Sequence, residues 1–163
     1  MLGGTALGGT VLGDTVSGGG IGLIDEDSVV GLEGGPGLPF VMDGVVIRGE
    51  QRGRQLGFPT ANLRPPENRA LPPNGVYAGR VTLDRFPGRW VGAVNIGVRP
   101  QFETALGLLV EVHILDFNGD LYGSRLHLEL VAWLRDERRF DSVDDLVAQI
   151  QRDLEACREA VPL

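Results

Sequence analysis

From Val41 onward, hydrophobic and polar residues alternate in short runs separated by proline and glycine turns. Alternation with a period of two marks strands that bury one face. Residues 45–48 (V-V-I-R) read as a first strand and 60–63 (T-A-N-L) as the start of a second. Residues 65–74, rich in proline and asparagine, are expected to cross the surface as a loop. Residues 75–83 (G-V-Y-A-G-R-V-T-L) and 89–96 (R-W-V-G-A-V-N-I) read as two strands of a hairpin, with Pro87 and Gly88 in the turn. Residues 108–117 (L-L-V-E-V-H-I-L-D-F) form the longest expected strand, Asn118-Gly119 gives a turn, and 126–134 (L-H-L-E-L-V-A-W-L) runs back. Strands at this spacing, with no helices between them, predict an antiparallel barrel or sandwich.

After Ser142 the period changes. Val143, Leu146, Val147, Ile150, Leu154 and Val161 recur at spacings of three and four, which is the apolar stripe of one C-terminal helix. Ser142 is a suitable N-cap, with Asp145 three residues on as a capping-box variant. Asp144, Gln151, Arg152, Glu155 and Arg158 fall on the opposite face. The helix is expected to pack on the barrel; binding a partner is the other use of such a stripe.

Residues 1–40 break the pattern. They hold about half of the 25 glycines, run as a loose repeat (L-G-G-T-A-L-G-G-T-V-L-G-D-T), and carry acidic residues but no arginine. Such a segment has much backbone entropy to lose and few large side chains to bury. The chain therefore divides into a glycine-rich extension, 1–40, and one domain, 41–163. Residues 1–20 are expected to be disordered, and 21–30 could form a short strand.

Charge narrows the chemistry. All 15 basic residues are arginine, which excludes a P-loop lysine, a Schiff-base lysine and a lysine general base. The formal net charge of -7 disfavours nucleic acid as a partner. The single cysteine, Cys157, permits no intrachain disulfide and lies in a helical apolar pattern, as a packing residue would. No run approaches a membrane span and no secretory signal opens the chain, so a cytoplasmic protein is expected.

The stretch 48–63 (R-G-E-Q-R-G-R-Q-L-G-F-P-T-A-N-L) is the densest in candidate chemistry. Gly49, Gly53 and Gly57 free the backbone, Arg52 and Arg54 add positive charge, and Pro59 stiffens the chain ahead of Thr60. Thr60 and Asn62, two apart on an extended chain, face the same side. A hydroxyl and an amide oxygen beside a basic glycine-rich loop suit a hard cation carrying phosphates. An ordinary glycine-rich turn entering a strand accounts for the same residues. Glu111 sits in the middle of an apolar strand and shares its face with His113; it is either on a solvated face or a candidate general base. His113 and His127 lack the spacing and soft partners of a zinc site and read as structural or lining residues. Residues 134–142 (L-R-D-E-R-R-F-D-S) form either a solvated connector or a flap with arginine donors and one aromatic face.

Taken in order, G-V-V-I-R-G from Gly44, G-R-Q-L-G-F-P-T-A-N-L from Gly53, G-V-Y-A-G from Gly75, N-I-G-V-R-P from Asn95, V-E-V-H-I-L-D-F from Val110, L-Y-G from Leu121 and L-R-D-E-R-R-F-D-S from Leu134 resemble the riboflavin kinase family. The likeness covers about residues 41–160. It implies a mainly β fold, a six-stranded antiparallel Greek-key barrel with one C-terminal helix. It implies ATP and riboflavin as substrates, ADP and FMN as products, and Mg²⁺ or another divalent cation with the ATP. By the same resemblance Thr60 and Asn62 hold the metal, Gly49, Gly53, Arg54 and Gly57 lie along the nucleotide, and Glu111 is the general base. Arg135 and Phe140 are then expected to close over the flavin. No membrane and no obligatory protein partner are implied. A non-catalytic flavin- or nucleotide-binding barrel is the alternative, and a detached piece of a bifunctional protein is a third reading. Residues 1–40 are too short for an adenylyltransferase, so FAD synthesis is not expected. Gln101 stands where the family usually has threonine, which bears on flavin affinity.

Overall fold

The computed structural model describes residues 37–48, 52–65, 70–98 and 108–163. The expectations placed on residues 1–36, Gly49 and Gln101 lie outside these residues. Among the described residues there are six strands: β1 (Phe40–Ile47), β2 (Ala61–Leu63), β3 (Gly75–Leu83), β4 (Trp90–Val98), β5 (Leu108–Ile114) and β6 (Arg125–Arg135). A one-turn helix, α1 (Arg52–Gln55), lies between β1 and β2, and α2 (Val143–Ala160) closes the chain.

The strands close into an antiparallel barrel in the order β1-β2-β5-β4-β3-β6. Strands β3, β4 and β5 form a meander and β6 returns beside β3, which is the Greek-key arrangement. Alternation explains the interior. Phe40, Met42 and Val46 of β1, Leu63 of β2, Val94 and Ile96 of β4, Val110 and Val112 of β5, and Leu126, Leu128 and Leu130 of β6 point inward and form one core. Each fully buried aliphatic side chain contributes about 1.5–3 kcal/mol. The Tyr77 hydroxyl donates to the Pro73 carbonyl (2.5 Å), so the one phenol in the core has a partner. Burial, with the charge of Asp136, pushes that phenol well above its ordinary range.

Most predicted elements are present, with shifted ends. The first strand begins at Phe40 because Phe40 and Met42 continue the inward alternation. The longest described strand is β6, at 11 residues, not the stretch from Leu108. That stretch ends at Ile114 because Asp116 takes a φ of 59° and its carboxylate pairs with Arg158 (2.9 Å). The turn helix α1 was not legible as a helix: four residues are too few for a period.

Ser142 caps α2 as predicted, its Oγ accepting from the Asp145 N–H (3.0 Å). The predicted stripe is only partly the buried one. Val143 is 59% exposed, while Asp153, Cys157 and Ala160 form the fully buried line. That line packs with Ala78, Val131, Ala132 and Leu134 on the outer face of β3 and β6. Asp153 can be buried because Arg135 pairs with it. Burial first, and the nearby Asp153 charge second, push the Cys157 thiol up to about 12, so it is an inert packing group. Among the described residues, no helix is long and apolar enough to cross a membrane.

Candidate active site

A second outer face, over β2, β5 and the C-terminal half of β4, is polar. The strand register sets Asn62 of β2 opposite Glu111 of β5, and Glu111 opposite Asn95 of β4. Directly opposed residues share a face with their Cβ atoms about 5 Å apart, so the two amides flank one carboxylate. Thr60, just before β2, donates from its Oγ1 to Glu111 Oε1 (3.4 Å). Three of the residues predicted to carry chemistry, Thr60, Asn62 and Glu111, are thereby brought together.

Asn62 is 4% exposed, and its Oδ1 is buried with no hydrogen-bond partner among the described residues. A buried acceptor left unpaired is costly, and such groups point to an ion or ligand. The donors assembled are a hydroxyl, an amide oxygen and a carboxylate, all hard oxygens. They fit a divalent cation that phosphates and water help to ligate. Among the described residues, no group of three or more His, Cys, Asp or Glu could hold a metal by itself. The set fits a metal brought by a phosphate substrate better than a soft-ligand cage.

Thr60 is held in place from behind. His113 Nδ1 lies 2.7 Å from the Pro59 carbonyl oxygen. A carbonyl can only accept, so Nδ1 carries the proton and donates. Phe58 meets the same imidazole edge-on, with ring centroids 5.9 Å apart. His113, expected only to be structural or lining, thus fixes the F-P-T segment from the strand that carries Glu111.

The glycine-rich turn is a compact knot. α1 is closed by bonds from the Leu56 and Phe58 N–H groups to the Gly53 carbonyl (3.1 and 2.7 Å) and from Gly57 N–H to Arg54 O (3.1 Å). Gly57 has a φ of +90°, which favours glycine, and a Cβ on Gly53 would collide with the Phe58 carbonyl oxygen. Arg54 is exposed on this turn. The knot therefore sets Gly53 against the Phe58 carbonyl and the Thr60 methyl group.

In the β6–α2 connection, Arg135 lies 5.9 Å from the Phe140 ring centroid and is also paired with α2. Arg135 places Nε and Nη2 on the two Asp153 oxygens (2.9 and 2.7 Å) and Nη1 on the Asp136 carbonyl (3.0 Å). Gln149 Nε2 also donates to Asp153 (2.9 Å). Arg135 thus ties β6 to α2. Phe140 is half-buried, with the Arg138 guanidinium 5.0 Å from its ring centroid. A polar groove beside it is lined by Arg138, Arg139, Phe140, Asp141, Asp145 and Arg152. Asn95 and Asp153 carried no signal in the sequence by themselves, since only strand pairing and helix docking give them partners.

Comparison with known proteins agrees with this geometry. Residues 36–161 match the family described as riboflavin kinase. The bifunctional riboflavin kinase/FMN adenylyltransferase of Pseudomonas fluorescens is 43% identical over 122 residues, covering 75% of this chain and 38% of that protein. Its Escherichia coli counterpart is 42% identical over 137 residues, covering 82% and 42% respectively. The chain thus spans about two fifths of the length of these relatives. Among solved structures, riboflavin kinase from Trypanosoma brucei superposes with a TM-score of 0.53 at 27% identity, over 74% of this chain and 78% of that one. A family match over most of the chain, on a barrel that assembles Thr60, Asn62 and Glu111, establishes that the chain belongs to the riboflavin kinase family.

Proposed function

We propose that this chain transfers the γ-phosphoryl group of ATP to the ribityl 5′-hydroxyl of riboflavin, giving FMN and ADP. The observation that carries the reading is the meeting of Thr60 Oγ1 with Glu111 Oε1 (3.4 Å) beside the buried, unpartnered Asn62 Oδ1. Thr60 and Asn62 would hold a divalent cation such as Mg²⁺, which offsets phosphate charge when bound with ATP.

The chain's own residues supply the rest. Phosphoryl transfer depends on positioning and charge neutralisation more than on covalent help. As the flavin hydroxyl oxygen bonds to the γ-phosphorus and the bond to the ADP oxygen breaks, the hydroxyl proton passes to the Glu111 carboxylate. A positioned base of this kind contributes about 10²–10⁴-fold. Gly49, Gly53, Arg54 and Gly57 lie along the nucleotide in this reading, with Arg54 as the charge that a lysine supplies elsewhere. Phe140 offers its ring to the flavin, and Arg135 acts through its hold on Asp153, by fixing the segment that carries Phe140.

The test is FMN formation from riboflavin and Mg-ATP by the purified protein. Turnover by the parent, near-loss in Glu111→Gln, and a raised Mg²⁺ requirement in Asn62→Ala are expected. Flavin and nucleotide binding without turnover in the parent would overturn the reading.

A further inference from the structure

We infer that Glu137 is a positioning residue that seats the β6–α2 connection on the barrel, through Asn95 and the bare Cα of Gly97. With the Asn95 amide turned so that its nitrogen faces acceptors, Nδ2 donates to Glu137 Oε2 (3.3 Å) and to the Gly75 carbonyl (3.3 Å). The Glu137 carboxylate occupies the space that a Cβ on Gly97 would fill, so any side chain there would displace it. Three stretches distant in sequence, around Gly75, Asn95 and Glu137, thus converge on one contact.

The route of β6 makes this possible. Tyr77 pairs with Trp133 but Val76 pairs with Arg135, so the register shifts where β6 leaves the barrel. Such an irregularity re-aims the residues beyond it. The connection is then held at two points: Arg135 on Asp153 towards the helix, and Glu137 on Asn95 and Gly97 towards the barrel. Asn95 is also the cross-strand neighbour of Glu111. One amide therefore joins the strand row of the base to the segment bearing Arg138, Arg139 and Phe140. In functional terms, which rest on the kinase reading, Glu137 sets how well that segment receives riboflavin and has little bearing on ATP.

A double-mutant cycle between Gly97→Ala and Glu137→Ala tests this. Each single variant is expected to raise the riboflavin KM about tenfold or more, with the ATP KM changed less than threefold. The double variant is expected to be no worse than either alone, because both remove the same contact. Additive losses, or a parental riboflavin KM in Gly97→Ala, would overturn the inference. Asn95→Ala adds no volume and serves if Gly97→Ala folds poorly; it should be equally non-additive with Glu137→Ala. Glu137→Gln keeps the shape and an oxygen acceptor and should recover most of the loss. The same cycle read in urea midpoints separates this inference from the kinase reading. A parent without turnover sinks the kinase reading, while coupled midpoints still support the contact and additive midpoints refute it.

Discussion

The outer surface of this barrel has two faces built on the same interior. Beneath α2, on β3, β6 and the start of β4, the outward residues include Ala78, Val91, Val131 and Ala132, and α2 covers them with Cys157, Ala160 and Val161. Over β2, β5 and the C-terminal half of β4, the outward residues are Asn62, Glu111 and Asn95, and among the described residues α2 packs instead against β3, β6 and the start of β4. The inward side chains are alike on both sides, mostly aliphatic and buried. What separates the faces is the choice of residue at outward positions: small and apolar where a helix must approach, polar where a ligand must be met. A β-barrel can dedicate one face to stability and another to chemistry because alternation decouples inside from outside.

This comparison makes exchanges informative. The largest contrast is between Glu111→Gln and Ala132→Asp. The first should lower kcat by about 10²–10⁴ while leaving the urea midpoint near that of the parent. The second buries an unpaired carboxylate under α2 and should cost several kcal/mol of stability, with kcat of the folded fraction retained. Equal stability losses in the two would erase the distinction between the faces.

Next in size is Asp153→Ala, which strands the half-buried Arg135 and should destabilise by about 3 kcal/mol in urea unfolding. It also loosens one of the two holds on the β6–α2 connection, so riboflavin KM should rise with it. Ser142→Ala removes the cap of α2 and should cost about 1 kcal/mol, with both KM values unchanged. An effect on riboflavin KM as large as that of Asp153→Ala would show that α2 as a whole, and not the Arg135 pair, sets the segment.

The smallest effect concerns alkaline pH. Cys157 is raised from 9.0 to about 12 in the folded chain. The unfolded chain therefore releases this proton first, and stability present below pH 9 declines as pH rises towards 12. By pH 9.5 the loss amounts to about 1 kcal/mol. Cys157→Ala should therefore show a flatter loss of urea midpoint between pH 8 and 9.5 than the parent.

The strands were legible because their period of two survives in the chain, as in 75–83, whose predicted ends coincide with those of β3. The helix was legible from its stripe and its cap, yet the stripe did not name the line that is buried. Asp153 reads as a surface residue until Arg135 arrives from another element. Thr60, Asn62 and Glu111 could be picked out through their ordered motifs, although nothing local joins Thr60 to a residue 51 positions away. Arg135 was expected over the flavin on the strength of its motif, and its place on Asp153 depends on where α2 docks.

The sequence by itself determined which residues face inward, where the helix starts and what chemistry is excluded, because these come from periodicity, capping and the absence of lysine. Only the tertiary structure decided that Asn95 stands beside Glu111, that His113 fixes Pro59, and that Glu137 rests on Gly97. Those relations are set by strand register and by the register shift at the end of β6. Both are settled by the packing of the whole barrel, which local sequence does not encode.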